Sequence, residues 1–249
     1  MKYLTLLFCL TLSLPSLAKP NAETIKALEG DIAIYPVLHS AMAIEYQGQM
    51  IYVDPYGGAA GFDGLDKPDL ILITDIHGDH MNIETLEELN AQSHQIIAPS
   101  AVIEKLGDKY TKTSALANGE STGLGDIKIT AIPMYNLPQS ADARHTKGRG
   151  NGYLLSMGGK NIYISGDTED IAEMRALKNI DAAFVCMNLP YTMTVEAAAS
   201  AVLEFQPKII YPFHYRGKGG FADVGKFEQL INEGNKDIEV RLASWYPEK

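Results

Sequence analysis

Thr74-Asp75-Ile76-His77-Gly78-Asp79-His80 is the stretch on which the reading of this chain turns. It follows Asp69-Leu70-Ile71-Leu72-Ile73, a short apolar run that predicts a buried strand. Four residues able to ligate a metal, Asp75, His77, Asp79 and His80, then arrive together. In extended chain alternate side chains share one side, so Asp75, His77 and Asp79 would face one ion and His80 another. Imidazole with carboxylate suits zinc first, and also manganese or iron. Gly78 lets the backbone fold tightly between ligands. The competing reading is a polar strand-to-helix loop in which Asp79 or Asn82 merely caps the next helix. Two histidines and two aspartates exceed what a cap needs.

The 249 residues are 46% hydrophobic, enough for one large core or two fused halves. Lys2, the apolar run from Tyr3 to Leu14, and Ser16-Leu17-Ala18 predict a signal peptide over residues 1–18, cut after Ala18. Residues 19–249 would then form a single domain. The apolar run is too short for a comfortable membrane span, so no stable anchor is expected after cleavage; the rival reading is an uncleaved anchor. Cys186 would be the one cysteine left, which excludes an internal disulfide. Export without disulfides fits a bacterial periplasmic or secreted protein. Formal charge is −10, and about −11 without Lys2, which argues against nucleic acid as a partner.

In chain order, residues 21–30 read as a short helix. Two strands then flank His39, and a third, from Met50 to Val53, ends at Asp54-Pro55. His39 reads as a hydrogen-bonding support more than a ligand. The glycine-rich run from Tyr56 to Gly61 lacks the spacing of a phosphate loop and reads as a mobile lip. Helices are expected at 82–90, 99–106, 169–177, 195–205 and 223–232. Strands are expected at 95–98, 127–134, 153–157, 161–164, 180–186, 208–213 and 238–242. The long polar loop from Tyr135 to Gly152 carries His145 among Arg144, Lys147 and Arg149. Asp167 follows a glycine at a strand end, where, taken alone, it or Thr168 reads first as the N-cap of the next helix. His214 ends a strand. The order is meander, βα units, second meander, βα units: two halves of similar architecture, with ligand candidates gathered at strand ends.

This pattern resembles the metallo-β-lactamase fold hydrolases. The matching stretches are Asp75-x-His77-x-Asp79-His80, His145, Gly166-Asp167-Thr168 and Pro212-Phe213-His214-Tyr215, with Val53-Asp54-Pro55 upstream. Within that family, His39-Ser40 and Thr192-Met193 resemble the L-ascorbate-6-phosphate lactonase-like branch. The resemblance implies an α/β fold, a four-layer αββα sandwich of two mixed sheets flanked by helices, with metals at one sheet edge. It implies one metal on Asp75, His77 and His145, and another on Asp79, His80 and His214. Asp167 would bridge the two, and Asp54 would support a ligand from behind. Asp75 departs from the family pattern, which has histidine there; a carboxylate hardens the site and opens it to Mn2+ or Fe2+ instead of Zn2+. Asn136 is an alternative to His145 as ligand.

Two divalent ions would activate a water, and Asp79 would hold and receive its proton. Arg144, Lys147, Arg149, Arg216 and Lys218 give the site a local charge opposite to that of the chain. That predicts a small anionic substrate: an ester, lactone or phosphodiester. Asn188, Tyr191 and Tyr215, with Arg144, Lys147 and Arg216, are the expected substrate-lining residues. The rival readings are a β-lactam hydrolase and a metal-binding or sensing protein that has lost catalysis. The sequence leaves the oligomeric state open.

Overall fold

The computed structural model describes residues 19–246. The expected signal segment, residues 1–18, lies outside them. The first half opens with four antiparallel strands, β1 (Glu23–Ile25), β2 (Ile32–Leu38), β3 (Ala41–Tyr46) and β4 (Gln49–Val53). Parallel strands β5 (Leu70–Leu72), β6 (Gln95–Ala98) and β7 (Thr113–Ala115) extend this sheet. Helix α1 (Ile83–Glu88) follows β5, and α2 (Ser100–Leu106) follows β6. The second half repeats the plan. Its meander is β8 (Ser121–Leu124), β9 (Ile127–Met134), β10 (Gly150–Met157) and β11 (Lys160–Ile164). Next come α3 (Ala172–Arg175), β12 (Ala182–Cys186), α4 (Val195–Phe205) and β13 (Ile209–Phe213). A small hairpin, β14 (Arg216–Gly217) and β15 (Gly220–Phe221), precedes α5 (Val224–Gly234) and β16 (Glu239–Val240). The two seven-stranded mixed sheets, with helices outside them, form the expected α/β sandwich.

The alternation of β5 shows why the sheets stack. Leu70 and Leu72 join Ile32, Ile44, Ile129, Tyr153 and Ile162 in a core shared by both sheets. Ile71 and Ile73 point the other way and pack with Leu86, Val102 and Leu106 of the covering helices. A strand buried on both faces reads as a continuous apolar run, and each such side chain contributes about 1.5–3 kcal/mol on burial. No helix among the described residues is long and apolar enough to cross a membrane.

Several boundaries differ from the sequence reading. Residues 21–30 are not a helix: Thr24 pairs with Ala33 and Ile25 with Ile32. A helix here would leave the β2 edge unpaired, and sheet edges demand cover. The helix expected at 169–177 shortens to Ala172–Arg175, with Ile171 at its N-cap position. Neither Asp167 nor Thr168 caps it, so the capping alternative for Asp167 falls away. Asn82, not Asp79, caps α1, accepting from the Thr85 amide at 2.9 Å. The expected mobile lip is tied down: the Gly58 amide donates to Thr85 Oγ1 at 2.9 Å and the Ala59 amide to Glu88 Oε2 at 2.8 Å. The last strand keeps two residues, because Arg241 turns to donate to the Tyr211 hydroxyl.

Candidate metal centre

Six chain segments deliver polar side chains to one edge of the sandwich. They are the ends of β4 (Asp54), β5 (Asp75 to His80), β11 (Asp167) and β13 (His214), the β2–β3 turn (His39) and the β9–β10 loop (His145). The Asn151 amide donates to the Thr74 carbonyl at 2.9 Å and so joins the two sheets at this edge. Gly166, at φ +60°, lies in the same crossing; a Cβ there would sit 2.6 Å from Met134 Sδ and 3.0 Å from the Asn151 carbonyl. Only glycine combines that φ with that closeness.

Three groups of metal-capable atoms result. Asp75, His77 and His145 form the first. Asp75 Oδ2 contacts His77 Nδ1 and lies 3.9 Å from His145 Nε2. His80, Asp167 and His214 form the second and are fully or almost fully buried. Asp167 Oδ2 is 3.3 Å from His80 Nε2 and 3.3 Å from His145 Nε2, and Oδ1 is 3.1 Å from His214 Nε2. Asp167 thus touches imidazoles of both groups. Asp79 lies at the rim, 3.6 Å from His214 Nε2 and 3.3 Å from His39 Nε2, and these three make the third group.

One expectation fails. Asp75, His77 and Asp79 do not share a side, because the His80 and Met81 amides both donate to the His77 carbonyl and close a turn. Alternation holds only in extended chain. Asp79 therefore swings toward His39, and His145 arrives from downstream to join Asp75 and His77. Asn136 does not compete as a ligand. Its Oδ1 accepts the His145 amide at 2.8 Å, its own amide donates to the His145 carbonyl at 2.9 Å, and so it fixes the loop that carries His145.

Asp54 sits behind His80. Its Oδ2 accepts from Thr74 Oγ1 at 2.6 Å and is 2.7 Å from His80 Nδ1; its Oδ1 accepts the Thr74 amide at 2.7 Å. With a proton on Nδ1 facing Asp54, the Nε2 lone pair of His80 is free to coordinate. Burial works against a charged His80, but Asp167 and Asp54 outweigh it and raise its pKa well above the usual value. Burial likewise opposes ionised Asp167, yet the His214 and His80 imidazoles, with His145 close by, hold it well below the carboxylate range. Asp79 is also held low: the His39 hydrogen bond and the neighbouring imidazoles overcome its desolvation. His39, Asp54 and His214 all have positive φ, at 62°, 45° and 45°. Backbone strain of this kind gathers at functional sites, and no sequence motif announced it.

The donor set fits a cation. His145 Nδ1 and Nε2, Asp167 Oδ1, His77 Nδ1 and His214 Nδ1 are buried with no hydrogen-bond partner among the described residues. His80 Nε2 and His214 Nε2 face each other at 3.2 Å. Buried polar atoms without partners are costly, and converging lone pairs and carboxylates are relieved by a divalent ion.

The match to the Beta-lactamase superfamily domain runs over residues 33–214 and holds every residue of these three groups. The chain belongs to the beta-lactamase superfamily. Among superfamily relatives, it is 31% identical to a UPF0173 metal-dependent hydrolase of Lysinibacillus sphaericus over 215 residues, 82% of this chain and 92% of the relative. A crystal structure assigned as a metal-dependent hydrolase from Parabacteroides distasonis superposes with a TM-score of 0.79 at 36% identity, covering 89% of this chain and 97% of that one. The metallo-β-lactamase fold protein YhfI of Bacillus subtilis shares the fold, with a TM-score of 0.66 at 16% identity over 88% of this chain and 94% of that one.

The expected substrate-lining residues scatter. Tyr191 and Arg216 line a cavity of about 300 Å³ together with His39, Tyr56, Lys218 and Tyr246. Arg144 stacks on the Tyr191 ring at 4.3 Å. Lys147 pairs with Glu173 at 2.6 Å, which removes much of its field from the centre. Asn188 Nδ2 lies 3.2 Å from His214 Nε2 and touches the centre itself. Tyr215 packs on Tyr246 and Phe221 and lies outside the lining of the cavity. Tyr246 was not read from the sequence, yet its hydroxyl lies 2.7 Å from His39 Nδ1. A lone tyrosine near the C-terminus carries no local signal.

Proposed function

We propose that the chain is a metal-dependent hydrolase that holds two divalent cations, zinc by first preference, and cleaves a small anionic ester, lactone or phosphodiester. The observation that carries this reading is Asp167, within 3.3 Å of imidazoles from two clusters whose buried donor atoms lack other partners. Asp75, His77 and His145 would hold one cation and His80 and His214 the other, with Asp167 shared and Asp79 completing the second from the rim. When bound, the cations supply an activated water and polarise the substrate oxygen that gains charge.

The residues do the rest. Asp54 and Thr74 fix the His80 ring so that Nε2 faces the centre. Asp79, its pKa held low, lies against His39, which lines the cavity, and would take the proton of the attacking water and return it to the leaving oxygen. In a phosphodiester the new P–O bond forms as the bond to that oxygen breaks; in an ester or lactone the new C–O bond forms first, and the bond to the leaving oxygen breaks as the carbonyl is restored. His39, held between Asp79 and Tyr246, keeps the carboxylate oriented. Arg216 and Lys218 line the cavity and would draw in the negative group of the substrate. A lactone is included because of the likeness to the lactonase-like branch in His39-Ser40 and Thr192-Met193.

Metal analysis of protein purified without added metal should find about two divalent ions per chain. A panel of a p-nitrophenyl phosphodiester, an anionic ester and an anionic lactone should show turnover that a chelator abolishes and zinc restores. Turnover indifferent to chelation, or absence of bound metal after zinc is supplied, would overturn the reading.

A further inference from the structure

The loop carrying His145 holds three cations, and the structure gives them different employments. Arg144 lies on Tyr191 and Lys147 on Glu173. Arg149 instead turns inward: its Nη2 lies 3.4 Å from Oδ1 of Asp75, a carboxylate with no solvent exposure. The other oxygen, Oδ2, faces His77 and His145. The two oxygens of Asp75 are thus divided between a guanidinium and a pair of imidazoles.

Backbone geometry enforces the pairing. The bond from the Asn151 amide to the Thr74 carbonyl brings the start of β10 against the end of β5, next to Asp75 and Arg149. A Cβ on the intervening Gly150 would sit 3.0 Å from that carbonyl, so the strands could not otherwise come so close. Arg149 Nη2 also donates to the Arg144 carbonyl, which pins the guanidinium from the far side. Its Nε is buried without a partner among the described residues, leaving the fork one further donor.

We propose that Arg149 is a positioning residue for the first cation site. It occupies Oδ1 and cancels the charge of Asp75, so that the carboxylate presents one neutralised donor atom, Oδ2, beside two imidazoles. A free carboxylate would bring a full negative charge and the option of binding through both oxygens, features that favour hard, oxygen-preferring ions. Arg149 removes both, and the site keeps the charge of a neutral three-imidazole set. The inference rests on the metal-binding reading above and adds to it a residue that sets which ion is preferred.

The test is a double-mutant cycle on the full chain, read as Zn2+ and Mn2+ affinity and as ions bound per chain. Arg149→Gln should raise affinity for Mn2+ relative to Zn2+ about tenfold at one site. Arg149→Lys, which keeps the charge, should recover most of the original preference. Asp75→His alone should lose about one ion per chain, because an unpaired guanidinium then faces the cation. Asp75→His combined with Arg149→Gln should regain it. An unchanged Mn2+ to Zn2+ preference in Arg149→Gln, or equal effects of that substitution in both backgrounds, would overturn the proposal. If Asp75→His does not fold, the Gln and Lys variants of Arg149 decide alone. Failure of the wild-type chain to bind any divalent ion would sink the proposed function as well, whereas additivity in the cycle sinks this inference only.

Discussion

The cluster of His80, Asp167 and His214 is sealed in the interior and braced on every side, whereas that of Asp75, His77 and His145 keeps one imidazole, His77, 24% exposed. In the sealed cluster, Asp54 and Thr74 fix His80, and Asn188 lies against His214. In the other, His145 comes from a long polar loop that Asn136 helps to fix, and Asp75 leans on Arg149 of the same loop. The sealed cluster is built from strand ends and the open one partly from a loop. Preorganised ligands lose less freedom on binding, so the sealed cluster should be the tighter site and the open one the adjustable one.

The largest effect is expected where the two clusters meet. Asp167→Ala removes the one carboxylate in contact with both and takes from His80, His145 and His214 the anionic neighbour they share. Loss of a residue that merely orients a metal ligand already costs about 10–100-fold, so loss of this one should exceed about a hundredfold in activity and reduce bound metal at both sites. Retention of two ions and of most activity would show that the clusters do not share Asp167.

That asymmetry bears on what the sequence could reveal. The strand before Asp75 and the helix expected at 195–205 were legible because apolar runs and helical patterns are local signals; Thr194 caps that helix by accepting from the Ala197 amide. The ligands at strand ends were legible for the same reason, each adjoining a recognisable strand. His145 was legible only as a histidine in an overlong loop. The grip of Arg149 on Asp75 depends on a crossing of β5 and β10 that joins positions 74 residues apart, and no spacing along the chain encodes it. The positive φ of His39, Asp54 and His214 is likewise not encoded by any spacing along the chain, although Asp and His are among the residues that tolerate it best.

Asp54→Asn should separate the clusters more finely. An asparagine can donate from its amide to His80 Nδ1, which moves the ring proton to Nε2 and blocks coordination. Cation affinity at the sealed cluster should fall about 10–100-fold while the open cluster, which Asp54 does not touch, keeps its affinity. Calorimetric titration resolves the two steps. An equal fall at both, or at neither, would contradict the division drawn here.

The smallest effect is expected at Asp181, a carboxylate of similar burial that lies away from both clusters. Its Oδ2 accepts the Asn161 amide at 3.0 Å, and Oδ1 pairs with Lys208 at 2.8 Å and Lys160 at 3.4 Å, joining β11 to the start of β12. Burial raises its pKa, but the Lys208 bond, the Asn161 amide and the Lys160 charge win and hold it below the usual value. A depressed folded pKa contributes stability that is present above the unfolded value, about 3.9, and is lost as pH falls through the folded one. Asp181→Asn should therefore cost about 1 kcal/mol at pH 7, about 2–4 °C in Tm. The gap from wild type should narrow as pH drops below about 5, because the wild-type chain then gives up the same contribution. Bound metal should stay unchanged. Were Asp181→Asn to shed metal as Asp167→Ala does, the losses at the centre would report general loosening of the sandwich instead of ligand chemistry, and the contrast between the sealed and the open cluster would lose its support.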